Sequence, residues 1–249
     1  MKSTTYIKFL LFVGLITLFG CSQSDETTTI DPVQTTGIKI LPLGDSRVQG
    51  ARPLFESYRY ELWKNLVSNN WDFDFIGPII DIASYPTFMN MNFDTDHAGV
   101  GGFQTQDILN NLSNAIASSG VPDVVLLGIG GNDLLREVSV STAINNINQI
   151  IDILQNSNNN ITIFLEQIAP GRSDIMTAER TLLFNEFNNN IATIGAQQTN
   201  ANSRVIITNM ATDWMDSYLA DDVHYNEEGA KIIADRYYQA IDAFLERKQ

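Results

Sequence analysis

The chain has 249 residues, 44% of them hydrophobic and 18% charged, with a formal net charge of −14. That balance is globular rather than disordered, and its sign excludes nucleic acid and other polyanions as partners. The single cysteine, Cys21, leaves no disulfide within the chain and no cysteine-based zinc site.

In chain order, residues 1–20 read as a leader: Lys2 and Lys8, then an apolar run from Phe9 to Phe19 too short to span a bilayer. The run ends in Leu18-Phe19-Gly20-Cys21, which resembles the lipobox of bacterial lipoproteins. That likeness implies lipidation of Cys21 and an exported domain held on a membrane, expected to be the outer membrane, through the lipid alone. The competing reading is a secreted protein cut nearby. Residues 21–37 are polar and Thr-rich and read as a flexible tether, leaving 38–249 as one domain.

Aliphatic runs then alternate with helical patterns. Strands are expected at 38–43, 73–76, 124–127, 161–165 and 205–207, and helices at 58–67, 106–116, 142–154, 176–194 and from Asn226 onward. The last helix has Asn226 as its cap, Glu227 and Glu228 in its first turn, and Arg247 and Lys248 in its last. The stretch 77–96, with Tyr85, Phe88, Met89, Met91 and Phe93, reads as a long loop that would floor a cleft. The alternation predicts the α/β class, a three-layer α/β/α sandwich around a parallel sheet. Such sheets bind ligands outside the carboxyl ends of their strands. That rule brings Ser46, Asn132 and His224 to one edge.

Four short blocks carry chemistry. Gly44-Asp45-Ser46 places a hydroxyl at a strand-to-helix turn, where it needs a base to become a nucleophile. The plainer reading is a turn in which Asp45 or Ser46 caps a helix. His224, one of two histidines, suits that base. Asp221, three residues earlier, is spaced to hold the imidazole in one tautomer, with Asp222 as the alternative acid. Asn132, in Gly130-Gly131-Asn132-Asp133, offers an amide donor to an oxyanion. Gly102, in Gly99-Val100-Gly101-Gly102, offers a backbone N–H with no side chain in the way. Read without chemistry, both are ordinary turns.

In this order, the blocks resemble the SGNH, or GDSL-type, hydrolase family across nearly the whole domain. The resemblance implies a flavodoxin-like five-stranded sheet and a serine esterase without metal or cofactor. It implies Ser46 as nucleophile, His224 as base and Asp221 as its orienting acid. The oxyanion donors would be the Ser46 N–H, the Gly102 N–H and the Asn132 side chain. Ile40-Leu41-Pro42-Leu43, Ser57-Tyr58-Arg59, Asp74-Phe75-Ile76-Gly77 and His97-Ala98-Gly99 are most similar to carbohydrate esterase family 3, the acetylxylan esterase type. The chain departs from the family at Arg47, where Leu or Ile usually follows the serine. Arg47 would either favour an acidic sugar ester or pair with one of the many carboxylates. His97 would shape the Gly99–Gly102 loop or contact substrate. Phe103 and Tyr225, with Tyr85, Phe88, Phe93 and Trp214, would form a sugar platform or else join the core.

The expected function is hydrolysis of O-acetyl esters on a polysaccharide or oligosaccharide through a Ser-His-Asp triad and an acyl-enzyme. The first rival is a lipid-directed esterase of lysophospholipase or thioesterase type, suggested by the apolar 77–96 stretch. The second is a non-catalytic glycan-binding lipoprotein, hinted at by Arg47. Nothing in the pattern sets an oligomeric state.

Overall fold

The structure is a computed structural model that describes residues 37–245. The leader, Cys21, the tether up to residue 36, and Arg247 and Lys248 lie outside the described residues.

The chain alternates strands and helices: β1 (Ile38–Gly44), α1 (Ser46–Gln49), α2 (Arg59–Ser68), β2 (Phe73–Phe75), β3 (Ile79–Ile80), β4 (Asp96–Gly99), α3 (Thr105–Ser119), β5 (Val124–Gly128), α4 (Gly131–Leu135), α5 (Val140–Ser157), β6 (Thr162–Gln167), α6 (Ala178–Gln198), β7 (Arg204–Asn209) and α7 (Glu227–Phe244). Each expected strand and helix is present, most of them shifted or lengthened by one to four residues at an end. Asn226 caps α7, its side chain accepting from the Gly229 N–H at 3.0 Å.

β1 pairs in parallel with β2 and β5, β5 with β6, and β6 with β7, which gives the expected five parallel strands. The sheet has seven strands rather than five, because β4 pairs in parallel with the end of β1 and β3 pairs antiparallel to β4. Part of the stretch 77–96 and the beginning of the 99–102 loop are therefore sheet. β1 changes partner along one edge: Ile38–Ile40 face β2, and Leu43 and Gly44 face β4. Ile40 and Gly44 both offer their carbonyls to that edge, to Ile76 N–H and Val100 N–H. By alternation the missing donor of Pro42 also faces it, at the handover between partners, where it disrupts no ladder.

The strands bury both faces, with side chains alternating between them. Leu41, Leu43, Val125, Leu127, Ile163 and Leu165 pack against α3, α5 and α6. Ile38, Ile40, Val124, Leu126 and Phe164 pack against α2 and α7. The result is a three-layer α/β/α sandwich. The aromatics of the 77–96 segment do not floor a cleft. Tyr85, Phe88 and Phe93 meet Tyr60 and Trp63 on α2 in tilted and edge-on contacts, and Phe93 is buried.

Candidate active site

Ser46 begins a helix of only four residues. Asp45 is its N-cap: the carboxylate accepts from the Arg47 N–H at 2.9 Å. Capping by Asp45 and presentation of Ser46 are thus the same local structure. Burial raises the Asp45 pKa, against the pull of the Arg47 N–H and side chain. At the other end, the free carbonyls of Val48 and Gln49 are taken by the fully buried guanidinium of Arg59, at 2.8 and 2.9 Å. Ser57 Oγ also donates to Val48 at 2.7 Å. Arg59 further bonds the Thr95 carbonyl and pairs with Asp81 at 2.8 Å. Gly44, just before the turn, has no room for a side chain: a Cβ there would lie 2.1 Å from the Gly128 carbonyl oxygen.

His224 arrives from the loop before α7. Its Nε2 lies 2.9 Å from Ser46 Oγ, and its Nδ1 lies 2.7 Å from Asp221 Oδ2. With the ring proton on the Asp221 side, Nε2 is left to accept from the hydroxyl. Asp221 Oδ1 also accepts from the N–H groups of Val223 and His224, at 2.9 and 2.8 Å. Burial alone would raise the Asp221 pKa. Those backbone bonds and the imidazole outweigh it and hold the carboxyl below its usual range. Asp222, the alternative acid, points elsewhere and pairs with Arg172 at 2.5 Å. Phe55 stacks on the imidazole, with ring centroids 3.8 Å apart and planes at 13°.

The Gly99–Gly102 loop runs beside the serine. A Cβ at Gly101 would stand 3.8 Å from Ser46 Cβ, and the Gly101 N–H donates to Gln49 Oε1 at 2.6 Å. Gly102 has φ +80, a left-handed conformation that glycine adopts freely, and its carbonyl accepts from Arg136 at 2.9 Å. Asn132, in α4, donates one amide hydrogen to the Phe103 carbonyl at 2.9 Å, which orients the amide and leaves its second N–H. Asp133 is buried and accepts from the Thr105 N–H and hydroxyl, at 2.9 and 2.6 Å, tying α4 to the start of α3. Beneath β5, a Cβ at Gly128 would meet the buried carboxyl of Glu166 at 2.7 Å. Burial pushes that carboxyl up to about 7, and Tyr237 donates to it at 2.6 Å.

Ser46, His224 and Asp221 therefore come together, while Gly102 follows Gly101 in the loop beside Ser46 and Asn132 is bonded to Phe103, the next residue of that loop. The residues expected to touch substrate fare differently. Arg47 forms no ion pair with a carboxylate among the described residues. Its guanidinium donates to the carbonyls of Val223 (2.8 Å), Ala169 (2.7 Å) and Pro170 (3.2 Å) and lies 5.0 Å above the Tyr225 ring. Tyr225 and His97 are buried, so neither offers a surface to substrate. His97 Nδ1 accepts from the Gly99 N–H at 3.0 Å, and burial, helped by nearby Arg59, drops the imidazole to about 3. Its place is in shaping the loop. Phe103 lines an apolar cavity of about 250 Å³ with Leu43, Ile79, Ala98, Val100 and Leu112. No group of three or more His, Cys, Asp or Glu among the described residues is arranged to hold a metal. None of the described helices is long and apolar enough to cross a membrane.

Sequence reasoning gives no role to Phe55 or Gln49, nor to Arg59 and Asp133, which it meets only as members of longer motifs. Asp133 carried a signal, a carboxylate directly after Asn132. Phe55 carried none.

Residues 43–232 match the model of the GDSL-like Lipase/Acylhydrolase family. A family 3 carbohydrate esterase of Clostridium thermocellum is similar at 28% identity and a TM-score of 0.66, over 83% of this chain and 96% of that one. A family 3 carbohydrate esterase from Talaromyces cellulolyticus shares the fold at 24% identity and a TM-score of 0.70, over 83% and 97%. An acetyl esterase mutant with acetate ion gives the same figures. Comparison with curated proteins finds no match.

Proposed function

We propose that this chain, which belongs to the GDSL-like lipase/acylhydrolase family and is an ester-hydrolysing enzyme, removes O-acetyl groups from a polysaccharide or its fragments. The observation that carries the proposal is the chain of bonds from Asp221 through His224 to Ser46, at 2.7 and 2.9 Å. Ser46 Oγ attacks the ester carbonyl while His224 takes its proton. Asp221 holds the imidazole in the tautomer that accepts at Nε2 and stabilises the cation that forms. The developing oxyanion is met by the N–H groups of Ser46 and Gly102 and by the second amide hydrogen of Asn132. His224 returns the proton to the departing sugar oxygen. Water, deprotonated by the same histidine, then releases acetate from Ser46.

Two things support acetate as the acyl group: the likeness to family 3 carbohydrate esterases, one at 28% identity, and the sequence segments quoted for that group. The experiment is acetate release from acetylated xylan by wild type and Ser46→Ala. The expected loss in kcat is about 10⁴-fold or more. Release at the wild-type rate by Ser46→Ala ends the proposal.

The apolar cavity lined by Ala98, Val100 and Phe103 favours a second reading, an esterase for longer acyl chains. A chain-length series of nitrophenyl esters separates the two: a maximum at acetate supports sugar deacetylation, a maximum at longer acyl groups supports lipid. The non-catalytic reading is set aside by membership of a hydrolase family.

The lipobox-like segment supports attachment of the enzyme to a bacterial membrane, the outer one in this proposal, through Cys21. Incorporation of a clickable fatty acid into wild type, and its loss in Cys21→Ala, is the expected result.

A further inference from the structure

The turn carrying Ser46 and the loop carrying His224 lie 178 residues apart in sequence, yet their side chains must meet to within a few tenths of an ångström. The sheet fixes the serine turn directly, since β1 leads straight into it. The histidine loop belongs to no strand of the sheet: it follows β7, two strands beyond β5, must reach back over β1, and is tied by single bonds such as Glu56 N–H to the Tyr225 carbonyl and Ala220 N–H to the His224 carbonyl, both at 2.8 Å.

One peptide group decides how the imidazole enters the site, the one joining Val223 to His224. Its N–H donates to Asp221 Oδ1 at 2.8 Å, and its carbonyl accepts from Arg47 Nε at 2.8 Å. The same plane is thus gripped at one end by the carboxylate that orients the ring. At the other end it is gripped by the residue next to the nucleophile. Nη1 and Nη2 of Arg47 donate to the carbonyls of Ala169 and Pro170, at the exit of β6. A planar guanidinium can serve three carbonyls from three directions in one orientation; an aliphatic side chain serves none, and an ammonium has no such fork.

We infer that Arg47 is a positioning residue that latches the histidine loop to the serine turn and so sets the Ser46–His224 distance. This rests on the assignment of Ser46 and His224 above. The position where the family usually carries Leu or Ile has here become the joint between the two halves of the site. Arg47 therefore acts on turnover rather than on recognition of an acidic sugar.

The test uses Arg47→Leu, Arg47→Lys and Arg47→Ala with 4-nitrophenyl acetate. It also follows the downfield proton resonance of the His224 Nδ1–H. Arg47→Leu, folded by circular dichroism, is expected to lose between about tenfold and about 100-fold in kcat with KM changed by less than about twofold. Its imidazole resonance should shift or broaden. Guanidinium ion is expected to restore part of the kcat of Arg47→Ala and to do nothing for Ser46→Ala. A folded Arg47→Leu with wild-type kcat and an unmoved resonance overturns the inference. So does a loss that falls entirely on KM, which would return Arg47 to substrate binding. Should Leu and Ala not fold, Arg47→Lys decides: reduced kcat at constant KM supports the latch, and wild-type kcat overturns it. Turnover by Ser46→Ala would sink the nucleophile assignment itself, a result separable from any outcome at Arg47.

Discussion

Around Ser46 the backbone is hemmed in by packing as well as by hydrogen bonds; the Asp221–His224 loop, apart from the ring of Phe55 and the buried Tyr225, is held mainly by individual polar ties. Gly44 and Gly128 touch with no space for a methyl group, Asp45 is 6% exposed, and Arg59 is wholly buried under the turn. Across the cleft, the Asp221 side chain is 50% exposed, and Arg172 grips Asp222 on the solvent side. A close-packed interior resists displacement in every direction, whereas a hydrogen-bonded loop resists it only along its bonds. The nucleophile is therefore positioned by the fold, and the base by a few named contacts. Changes on the two sides should have different signatures.

The sharpest break is at Asp221. Asp221→Asn should lower kcat by about 10⁴-fold, because the amide favours the wrong imidazole tautomer, while the thermal midpoint stays close to wild type. A parallel fall in the midpoint would mean that the exposed side also holds up the fold. Next comes Asn132, which stands on the packed side yet acts on charge. Asn132→Ala should cost about 10²–10³-fold in kcat, read under saturating ester, with KM little changed.

The smallest expected effect, on stability alone, separates the two sides by pH. Glu166 ionises near its ordinary value in the unfolded chain but is pushed up to about 7 by burial in the folded one. Its neutral form is the one the fold favours. The resulting stability is fully present below about pH 4.5 and is lost as pH rises through about 7, a fall of about 3 kcal/mol. Glu166→Gln stays neutral and should remove that share of the slope in urea unfolding followed from pH 5 to 8. Asp94, also raised by burial to about 7, keeps its own share. A slope unchanged in Glu166→Gln would show that the packed side tolerates the buried charge. Asp221, held low by its bonds, works the other way: its contribution is present at neutral pH and is lost as the medium becomes acid.

The same division governs what the sequence disclosed. Aliphatic runs such as Val124–Leu127 announce strands buried on both faces, and the strand-end rule brings Ser46 and His224 to one edge before any coordinates exist. β4 gave no such sign. Asp96-His97-Ala98-Gly99 lacks the β-branched residues of a strand and becomes one because the end of β1 is free to pair with it. In the sequence, Arg47 shows only its charge, which points to a carboxylate or an acidic ligand. Its partners are backbone carbonyls of residues 122 to 176 positions away, which leave no trace in side-chain identity. Phe55, stacked on the imidazole, sits in a segment with no period at all. Packing writes a pattern into sequence, and contacts made to main-chain atoms do not.

The partner change of β1 at Pro42 has a further consequence. Ile76 is fastened to Ile40 on one side of it, and β4 to Leu43 and Gly44 on the other. Above them, the Asp81 N–H closes on the Thr95 carbonyl at 3.1 Å. The intervening excursion therefore leaves and rejoins the same scaffold strand, so additions at its Phe88–Met91 tip need not propagate to the loop beside Ser46. That tip is a natural splice point, where new surface can be grafted while the chemistry a few residues downstream keeps its geometry.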